Sequence, residues 1–475
     1  MRIGRLRTCG KGDTVTAGRT RIVIIGGGPG GYEAALVAAQ LGANVTVVER
    51  DGAGGACVLT DCVPSKTLIE TSVTMTRLAS AGDLGVRVGT GAAAVDAPRL
   101  NTRVKALARR QSADVASRLA AEGVRTVAGQ GRLVEPGLVA VGDRRFSADV
   151  ILIATGAHPR VLPDALPDGE RILDWRQIYD LPELPPQLIV VGSGVTGAEF
   201  ACAYQALGSQ VTLVSSRQRV LPHEDVDAAV VVEDVFRRRG MTVLSRSRAA
   251  AVKRTADGVV VTLEDGRTVA GSHCLLTVGM TPSTSGLGLV EMGVRLDGQG
   301  FAEVDRVSRT SAPGVYAAGD CTGLLMLASV AAMQGRIAMW HALGEAVTPL
   351  RLSHVAATVF TEPEIATVGV TQAAVAAGTV DARVVKLPLA TNPRAKMQGS
   401  RDGFVKLFAR HGTGIVLGGV IVAPRASELI LALSLAVEQQ LTVDQMAHTF
   451  AVYPSMSGSV TEAARRLMQS AANTD

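Results

Sequence analysis

Two cysteines and a lysine lie close together in a glycine-rich segment of the chain. Cys57 and Cys62 are five residues apart, Gly54 and Gly55 precede them, and Lys66 follows. Six cysteines in 475 residues are too few for a disulfide scaffold, and no signal-peptide-like apolar stretch is present. A close pair then indicates catalytic chemistry in a reducing compartment, the alternative being two unrelated buried thiols. A cysteine at a helix N-terminus beside a lysine is expected to have a lowered pKa.

The spacing of the pair constrains its local structure. Residues five apart on an ideal helix lie about 140° apart around the axis and roughly 8–9 Å from each other. A disulfide requires Cα atoms within about 7 Å. Oxidation of Cys57 and Cys62 therefore requires a distorted segment, and we expect the distortion at its start, where Gly54 and Gly55 permit it.

A glycine-rich turn between a predicted strand and a predicted helix indicates a first nucleotide site. In the pattern G-x-G-x-x-G, Gly26 makes the tight turn, Gly28 lets the backbone approach a pyrophosphate, and Gly31 packs the helix on the strand. The helix N-terminus attracts the phosphates. Glu49 ends the next predicted strand, where an acid binds a ribose diol.

A second turn repeats the glycines but not the acid. Gly192, Gly194 and Gly197 again follow a predicted strand, and Ser215 stands where Glu49 stands in the first unit. Loss of the carboxylate removes repulsion toward a 2′-phosphate, and Arg217 or its neighbour Arg219 can pair with one. This favours NADPH, or tolerance of both nicotinamide cofactors; the alternative is that both arginines face solvent.

The elements that must position these residues follow from hydrophobic periodicity and turn signals. We predict strands over residues 21–25, 44–48, 188–191, 210–214, 355–360, 404–409 and 415–422. We predict helices over residues 32–41, 198–207, 427–439 and 443–448, and a largely helical region over residues 71–125. The predicted domain boundaries are a basic flexible tail over 1–20, a first domain over 21–165 that resumes over 291–350, a second over 166–290, and a third over 351–475.

Composition narrows the possible functions. The net charge is +5, and residues 1–21 carry six basic side chains against one acid, so the rest of the chain is neutral. A neutral body and an aromatic content of 3% argue against a nucleic-acid partner. No apolar run is long enough to predict a membrane-spanning helix, and no cysteine or histidine spacing predicts a metal site. We expect a cytoplasmic protein.

Several segments together resemble one family. Roughly residues 20–470 resemble the class I pyridine nucleotide–disulfide oxidoreductases, which are flavoprotein disulfide reductases. The matching segments are residues 49–57, 62–66, 154–156, 315–320 and 359–366. The resemblance implies an α/β fold with two Rossmann-like domains, one for FAD and one for NAD(P)H, a C-terminal α+β dimerisation domain, and a homodimer.

The resemblance also implies residue roles. Cys62 would be the thiol next to the flavin, Cys57 would exchange with a disulfide substrate, and Lys66 with Glu199 would form an ion pair near the flavin N5. The residues implied for FAD binding are Gly26, Gly28, Gly31, Glu49, Lys66, Thr155, Gly156 and Asp320. Those implied for NAD(P)H binding are Gly192, Gly194, Gly197, Arg217, Arg219 and Gly279.

One departure from the family pattern decides the functional prediction. Tyr453 and Gly458 stand where the family has a His–Glu pair that serves the exchanging thiol of the partner subunit. A phenol is a poor base near neutral pH, and general acid–base help contributes about 10²–10⁴-fold to rate. A quinone can take electrons without a thiol base, so we predict an NAD(P)H dehydrogenase acting on quinones, of the branch that lacks the pair. Tyr453 is expected to lie over Cys57 of the other subunit.

Two alternatives stay open at this stage. The chain has both cysteines of a dihydrolipoyl dehydrogenase-like disulfide reductase, and one of its seven histidines, such as His354 or His448, would then have to replace the missing base. The second alternative is a flavin-binding redox sensor with little turnover, which two intact nucleotide sites disfavour.

Overall fold

The first dinucleotide-binding fold is a five-stranded parallel sheet covered by helices. The structure, a computed structural model, describes residues 19–87 and 93–472, so most of the predicted basic tail lies outside the described residues. The strands lie in the order Val315–Ala317, Val150–Ile153, Arg21–Ile25, Asn44–Glu49 and Arg125–Ala128. The first four of these strands are mostly buried on both faces, as in parallel sheets packed between helices, whereas the edge strand Arg125–Ala128 buries only Val127. The neighbouring helices are Pro29–Gln40, Ala97–Ala121 and Ala328–Ala342.

The second dinucleotide-binding fold repeats this architecture. Its parallel strands lie in the order Thr242–Leu244, Gln210–Val214, Gln187–Val191, His273–Leu276 and Ile172–Asp174. The helices Val195–Leu207 and Val226–Arg238 pack beside it. The predicted strands and helices of both units are confirmed. Each first helix begins three residues earlier than predicted, because the glycine turn itself forms the first helical turn.

Three small antiparallel sheets complete these two folds. Their strands are Gly131–Glu135, Leu138–Val141 and Arg144–Ser147; Ala249–Arg254, Val259–Leu263 and Thr268–Gly271; and Ala157–Pro159 with Met280–Pro282. The last pair joins the ends of the two Rossmann-like folds, because one of its strands follows the first sheet and the other follows the second.

The C-terminal domain is an antiparallel sheet with helices on it. Its strands lie in the order Ala357–Val359, Glu364–Gly369, Val416–Ala423, Phe404–Arg410 and Ala382–Pro388. Its helices are Gln372–Ala376, Pro393–Met397, Ala426–Glu438, Val443–Ala447 and Gly458–Ala472. Short 3-10 helices elsewhere are Ala81–Leu84, Ile178–Asp180, Asp320–Thr322, Leu352–His354 and Leu389–Thr391. The predicted α/β class with this third domain is confirmed.

A buried ion pair ties the third domain to the second. The Lys406 ammonium is 1% exposed and lies 2.8 Å from Asp225 Oδ2 and 2.7 Å from Asp227 Oδ2. Asp225 also caps the helix Val226–Arg238 by accepting from two backbone N–H groups of its first turn. The Asp225 carboxylate therefore stabilises both the start of this helix and the contact between the second and third domains.

The predicted helical region over residues 71–125 contains, among its described residues, two separate α-helices and ends before residue 125. The first helix, Cys62–Ala79, ends at Ala79. It is followed by the 3-10 helix Ala81–Leu84 and by Gly85, whose φ of +78° changes the direction of the chain. The next helix begins after Asp96, whose carboxylate accepts the Arg99 N–H, and residue 125 already starts a strand. Among the described residues, no helix has both the length and the apolar character to cross a membrane.

Candidate active site

The carboxyl end of the first parallel sheet opens on a cavity of about 840 Å³. The predicted residues that line it are Gly26, Gly28, Glu49, Cys57, Cys62, Thr155, Gly156 and Asp320. Most of these residues follow the carboxyl ends of the parallel strands, and the sheet thereby brings together parts of the chain that are far apart in sequence. This is where open α/β sheets bind ligands.

The first glycine turn forms a cradle at the mouth of a helix. A β-carbon at Gly26 would lie 2.2 Å from the Ala154 carbonyl oxygen, and one at Gly31 would lie 1.9 Å from the Gly26 carbonyl oxygen. A β-carbon at Gly28 would meet no protein atom within 4 Å, so open space faces the N-terminus of the helix Pro29–Gln40. Strand packing therefore requires Gly26 and Gly31, whereas Gly28 faces a space that fits a phosphate group.

Two polar groups on the cavity wall are arranged for a nucleotide cofactor. Glu49 Oε2 accepts the Gly27 N–H at 2.5 Å and its Oε1 accepts the Asp51 N–H at 2.7 Å, which fixes the carboxylate at the strand end. The Gly52 N–H also donates to Oε1, at 3.3 Å. A carboxylate has about four acceptor positions, so about one stays available for a ribose hydroxyl. The Thr155 hydroxyl is buried without a hydrogen-bond partner. An orphaned hydroxyl, a fixed acid and a phosphate-sized cradle fit FAD.

The cysteine pair spans a break between two helices. Cys57 lies in the short helix Gly55–Leu59, and Cys62 begins the helix Cys62–Ala79. Between them, the N–H groups of Thr60 and Asp61 both donate to the Ala56 carbonyl oxygen, and the two thiols are hydrogen-bonded to each other. The distortion that the spacing requires therefore lies at residues 60–61, and not at the start of the segment as predicted.

The two thiols differ in acidity. A hydrogen bond from Cys62 lowers the pKa of Cys57, although burial and Asp61 oppose this. The pKa of Cys62 is raised by its hydrogen bond to Cys57, by burial and by Asp61. The predicted lowering therefore holds for Cys57 and is wrong for Cys62, the thiol that begins the helix, because its surroundings outweigh the dipole and Lys66.

Lys66 and Glu199 form an ion pair where three domains meet, with the Glu199 side chain buried and the Lys66 side chain 31% exposed. Lys66 Nζ lies 2.7 Å from Glu199 Oε2, and Glu199 Oε1 accepts the Phe360 N–H at 2.9 Å. The ammonium also lies 4.9 Å from the centre of the Phe360 ring, a cation–π contact. Burial lowers the pKa of Lys66, but the Glu199 carboxylate and Cys62 outweigh it, so that the net shift is upward. The pair stands behind the cavity wall, beside the cysteines.

The second glycine turn forms a matching cradle on the second sheet. A β-carbon at Gly192 would lie 2.3 Å from the Thr277 carbonyl oxygen, one at Gly197 would lie 1.9 Å from the Gly192 carbonyl oxygen, and Gly194 faces open space. Ser215, at the position of the missing acid, is fully buried and its hydroxyl lies 2.6 Å from the Ser193 hydroxyl.

The basic residues near this cradle lie beyond the strand end. Arg217 is exposed and Arg219 is half-buried, and the Arg217 carbonyl oxygen accepts the Arg246 N–H at 2.8 Å. Gly279 lies between the strands His273–Leu276 and Met280–Pro282, and its carbonyl oxygen accepts the Arg160 N–H.

Comparison with known proteins agrees with this two-cradle architecture. The model of the pyridine nucleotide-disulphide oxidoreductase family matches residues 20–335, and the model of the dimerisation domain of these enzymes matches residues 355–464. The chain belongs to the pyridine nucleotide-disulphide oxidoreductase family. The predicted family is confirmed, and with it the cofactors FAD and NAD(P)H.

Several relatives of known name cover nearly the whole chain. A protein of Mycobacterium tuberculosis (strain H37Rv) named NAD(P)H dehydrogenase (quinone) is 58% identical over 463 residues, which are 94% of each chain. The dihydrolipoyl dehydrogenase of Geobacillus stearothermophilus is 32% identical over 94% of this chain and 95% of its own. The crystal structure of LpdA from Mycobacterium tuberculosis superposes with a TM-score of 0.91 at 57% identity, covering 94% of this chain and 100% of that one.

Tyr453, which takes the position of the family's histidine, does not lie at the cavity. Its side chain is 82% exposed and does not line the cavity. Gly458 begins the last helix, and its N–H donates to the Ser455 hydroxyl. His354 pairs with Glu438 and His448 contacts Asp444, so both lie on the surface of the third domain and away from the cavity lining.

Several cavity residues were missed by the sequence reasoning. Asp61 lines the cavity between the two cysteines, and its position inside the redox segment was a signal that could have found it. His158 lines it as well, with Nδ1 3.1 Å from the Ser283 hydroxyl, and so does Trp175. Neither carries a motif, because the short sheet that joins the two folds brings His158 there through tertiary structure.

Proposed function

We propose that this protein is an FAD-dependent NAD(P)H dehydrogenase whose acceptors are quinones or similar small electron carriers. The observation that carries the proposal is the pair Tyr453 and Gly458, which leaves the position of a thiol-serving base without an imidazole or a carboxylate. The 58% identical relative named NAD(P)H dehydrogenase (quinone) supports the same conclusion. A quinone needs an open flavin face and protons, and it needs no base for thiol exchange.

When bound, FAD would supply the chemistry of accepting a hydride equivalent from NAD(P)H and passing the electron pair to an acceptor. We assign its binding to the lining residues of the cavity together with Gly31 and Lys66. The residues that would hold it are Gly26, Gly28, Gly31, Glu49, Lys66, Thr155, Gly156 and Asp320. Those that would hold the nicotinamide nucleotide are Gly192, Gly194, Gly197, Arg217, Arg219 and Gly279. The exposed Arg217 and the absence of an acid at Ser215 support a preference for NADPH.

The charges beside the cavity suit hydride transfer. The Lys66 ammonium is held by Glu199 and by the Phe360 ring, so that a fixed positive charge lies near Cys62, which lines the cavity. Preorganised charge of this kind stabilises developing negative charge without reorganisation. Lys66 and Glu199 are accordingly assigned as catalytic residues, with Cys57 and Cys62 as a second electron store.

A homodimer is part of the proposal. The family model of the dimerisation domain supports it, and so do large apolar side chains on the surface of this domain. Leu431 and Leu435 on one helix are 61% and 53% exposed, and Phe450 beside Tyr453 is fully exposed. A second copy would cover them and bring Tyr453 over Cys57 of its neighbour. We also propose the predicted domain boundaries and a cytoplasmic location, where NAD(P)H is available.

An acceptor screen tests the function. Purified protein loaded with FAD is mixed with NADPH and either menadione, lipoamide or oxidised glutathione, and NADPH oxidation is followed by its absorbance. We expect turnover with menadione to exceed turnover with both disulfides. Lipoamide turnover equal to or faster than menadione turnover would refute the proposal.

One observation favours a second candidate, an NAD(P)H-dependent disulfide reductase of the dihydrolipoyl dehydrogenase type. Cys57 and Cys62 are both present and hydrogen-bonded to each other at the cavity. This candidate predicts the opposite order of acceptors in the same screen, with lipoamide ahead of menadione.

A further inference from the structure

An acidic side chain lies between the two cysteines at the cavity. Asp61 immediately precedes Cys62 and lines the same cavity as both thiols. Neither of the functions considered above assigns a role to it. A carboxylate beside a redox-active cysteine pair is unfavourable for the ionised thiol, because like charges at short range repel each other.

The position of Asp61 in the fold leaves its carboxylate uncommitted. It is the N-cap residue of the helix Cys62–Ala79, yet its side chain makes no capping hydrogen bond. The usual donor at the third helical position is missing, because Pro64 has no N–H. No residue that the structure describes donates a hydrogen bond to this carboxylate. Its charge therefore acts on its neighbours undiminished by local bonds.

The groups that face Asp61 come from five elements. The ionisable groups are Cys57, Cys62, Lys66, Glu199, Asp320 and Tyr179. Only Lys66 among them is cationic, and it lies 2.7 Å from the Glu199 carboxylate. Burial raises the pKa of Asp61, Lys66 lowers it and Glu199 raises it. Among these described groups, the positive charge of Lys66 is thus offset by the Glu199 carboxylate as well as by Asp61.

We propose that Asp61 is a specificity-determining residue: its carboxylate disfavours the thiolate form of the Cys57–Cys62 pair and thereby directs the electron pair to a quinone instead of the disulfide. This inference rests on the proposed function. The effect grows as the pH rises through the pKa of Asp61, because only the ionised carboxyl repels a thiolate.

The two fates of one hydride equivalent from NAD(P)H differ in charge. Reduction of the disulfide by one hydride equivalent breaks the S–S bond and leaves one thiol and one thiolate. Reduction of a quinone by one hydride equivalent and one proton gives the hydroquinone and leaves no charge on the cysteines. A carboxylate beside the cysteines penalises the first route and leaves the second unaffected.

Alkylation of the two thiols measures the effect without any acceptor. The wild-type FAD-loaded protein, reduced anaerobically with NADPH, is treated with iodoacetamide over a range of pH, and mass spectrometry follows the peptides that contain Cys57 and Cys62. In Asp61→Asn we expect the pH midpoint of alkylation to fall by about one unit. Asp61→Ser, which keeps a capping hydroxyl, gives the same readout should Asn impair folding.

Two control variants separate charge from shape and position. Asp61→Glu keeps the charge and should retain the wild-type midpoint, and Asp83→Asn removes an exposed acid of the same domain that does not line the cavity. Neutral variants at position 61 whose midpoints coincide with the wild type would overturn the inference, as would a shift in Asp61→Glu equal to that in Asp61→Asn. The proposed function is tested in a separate experiment, the rate of NADPH oxidation by the wild type with menadione. The two results are independent, because the alkylation assay contains no electron acceptor.

Discussion

The ion pair between Lys66 and Glu199 can be tested by removing one charge and keeping the shape. In Glu199→Gln the ammonium loses its counter-ion, and the amide cannot accept hydrogen bonds at both of its ends as the carboxylate does. At the 2.7 Å separation the Coulomb energy is about 6 kcal/mol with an effective dielectric constant of 20. Desolvation of both groups offsets part of this. Because the Lys66 side chain is 31% exposed, water can hydrate the ammonium that is left without its partner, and we expect a loss of about 1.5–3 kcal/mol in the free energy of unfolding.

Urea unfolding of the FAD-loaded protein, followed by far-ultraviolet circular dichroism with FAD in excess, measures this loss. The matched control is Glu264→Gln, which breaks the pair of Arg248 and Glu264 at 3.6 Å with both side chains 62% exposed. An exposed pair contributes at most about 1 kcal/mol. A loss in Glu199→Gln no larger than that of the control would refute the reasoning that the buried Glu199 carboxylate makes this pair stronger than an exposed one.

Three further predictions concern other parts of the molecule. Lys406→Met leaves Asp225 buried without its cation, so it should lower the free energy of unfolding, measured in urea, by about 3–5 kcal/mol. The double variant with Asp225→Asn should recover part of this loss. Gly31→Ala should yield unstable protein without flavin absorbance, because the new β-carbon would lie 1.9 Å from the Gly26 carbonyl oxygen. Gly28→Ala should fold but bind FAD more weakly, and a flavin fluorescence titration measures this. Burial and Asp61 raise the pKa of Asp320 to about 6 from its ordinary 3.8. The folded flavin-free protein then holds this proton more tightly than the unfolded chain. Relative to Asp320→Asn, the flavin-free wild type should lose about 2 kcal/mol of unfolding free energy between pH 4 and pH 7, and equal pH profiles would contradict this.

The Rossmann-like units could be predicted from the sequence because their chemistry is local. The glycines at positions 26, 28 and 31, the β-branched strand before them and the acid at Glu49 all lie within about thirty residues. The same holds for the second turn, and the structure confirms both as strand, turn and helix. The break after Ala79 was missed, because Ala, Leu and Val at helical spacing continue on both sides of it, although the glycines at positions 82, 85, 89 and 91 indicate an interruption.

The candidate site was only partly accessible from the sequence. Residue pairs such as Lys66 with Glu199 entered through resemblance, since they are 133 residues apart and no local pattern joins them. The order of acidity of the two thiols depends on their mutual hydrogen bond and on burial, which spacing does not encode. His158 and Trp175 reach the cavity through strand pairing and packing between domains, so no motif surrounds them.

The central claim is that the electron pair leaves for a quinone without a thiol-exchange step. The most direct measurement is steady-state NADPH oxidation by FAD-loaded Cys57→Ser with menadione as the acceptor. The account predicts that menadione turnover survives in this variant, while any lipoamide reduction is lost. Menadione turnover that disappears with the Cys57 thiol, in a variant that still binds FAD, would contradict it.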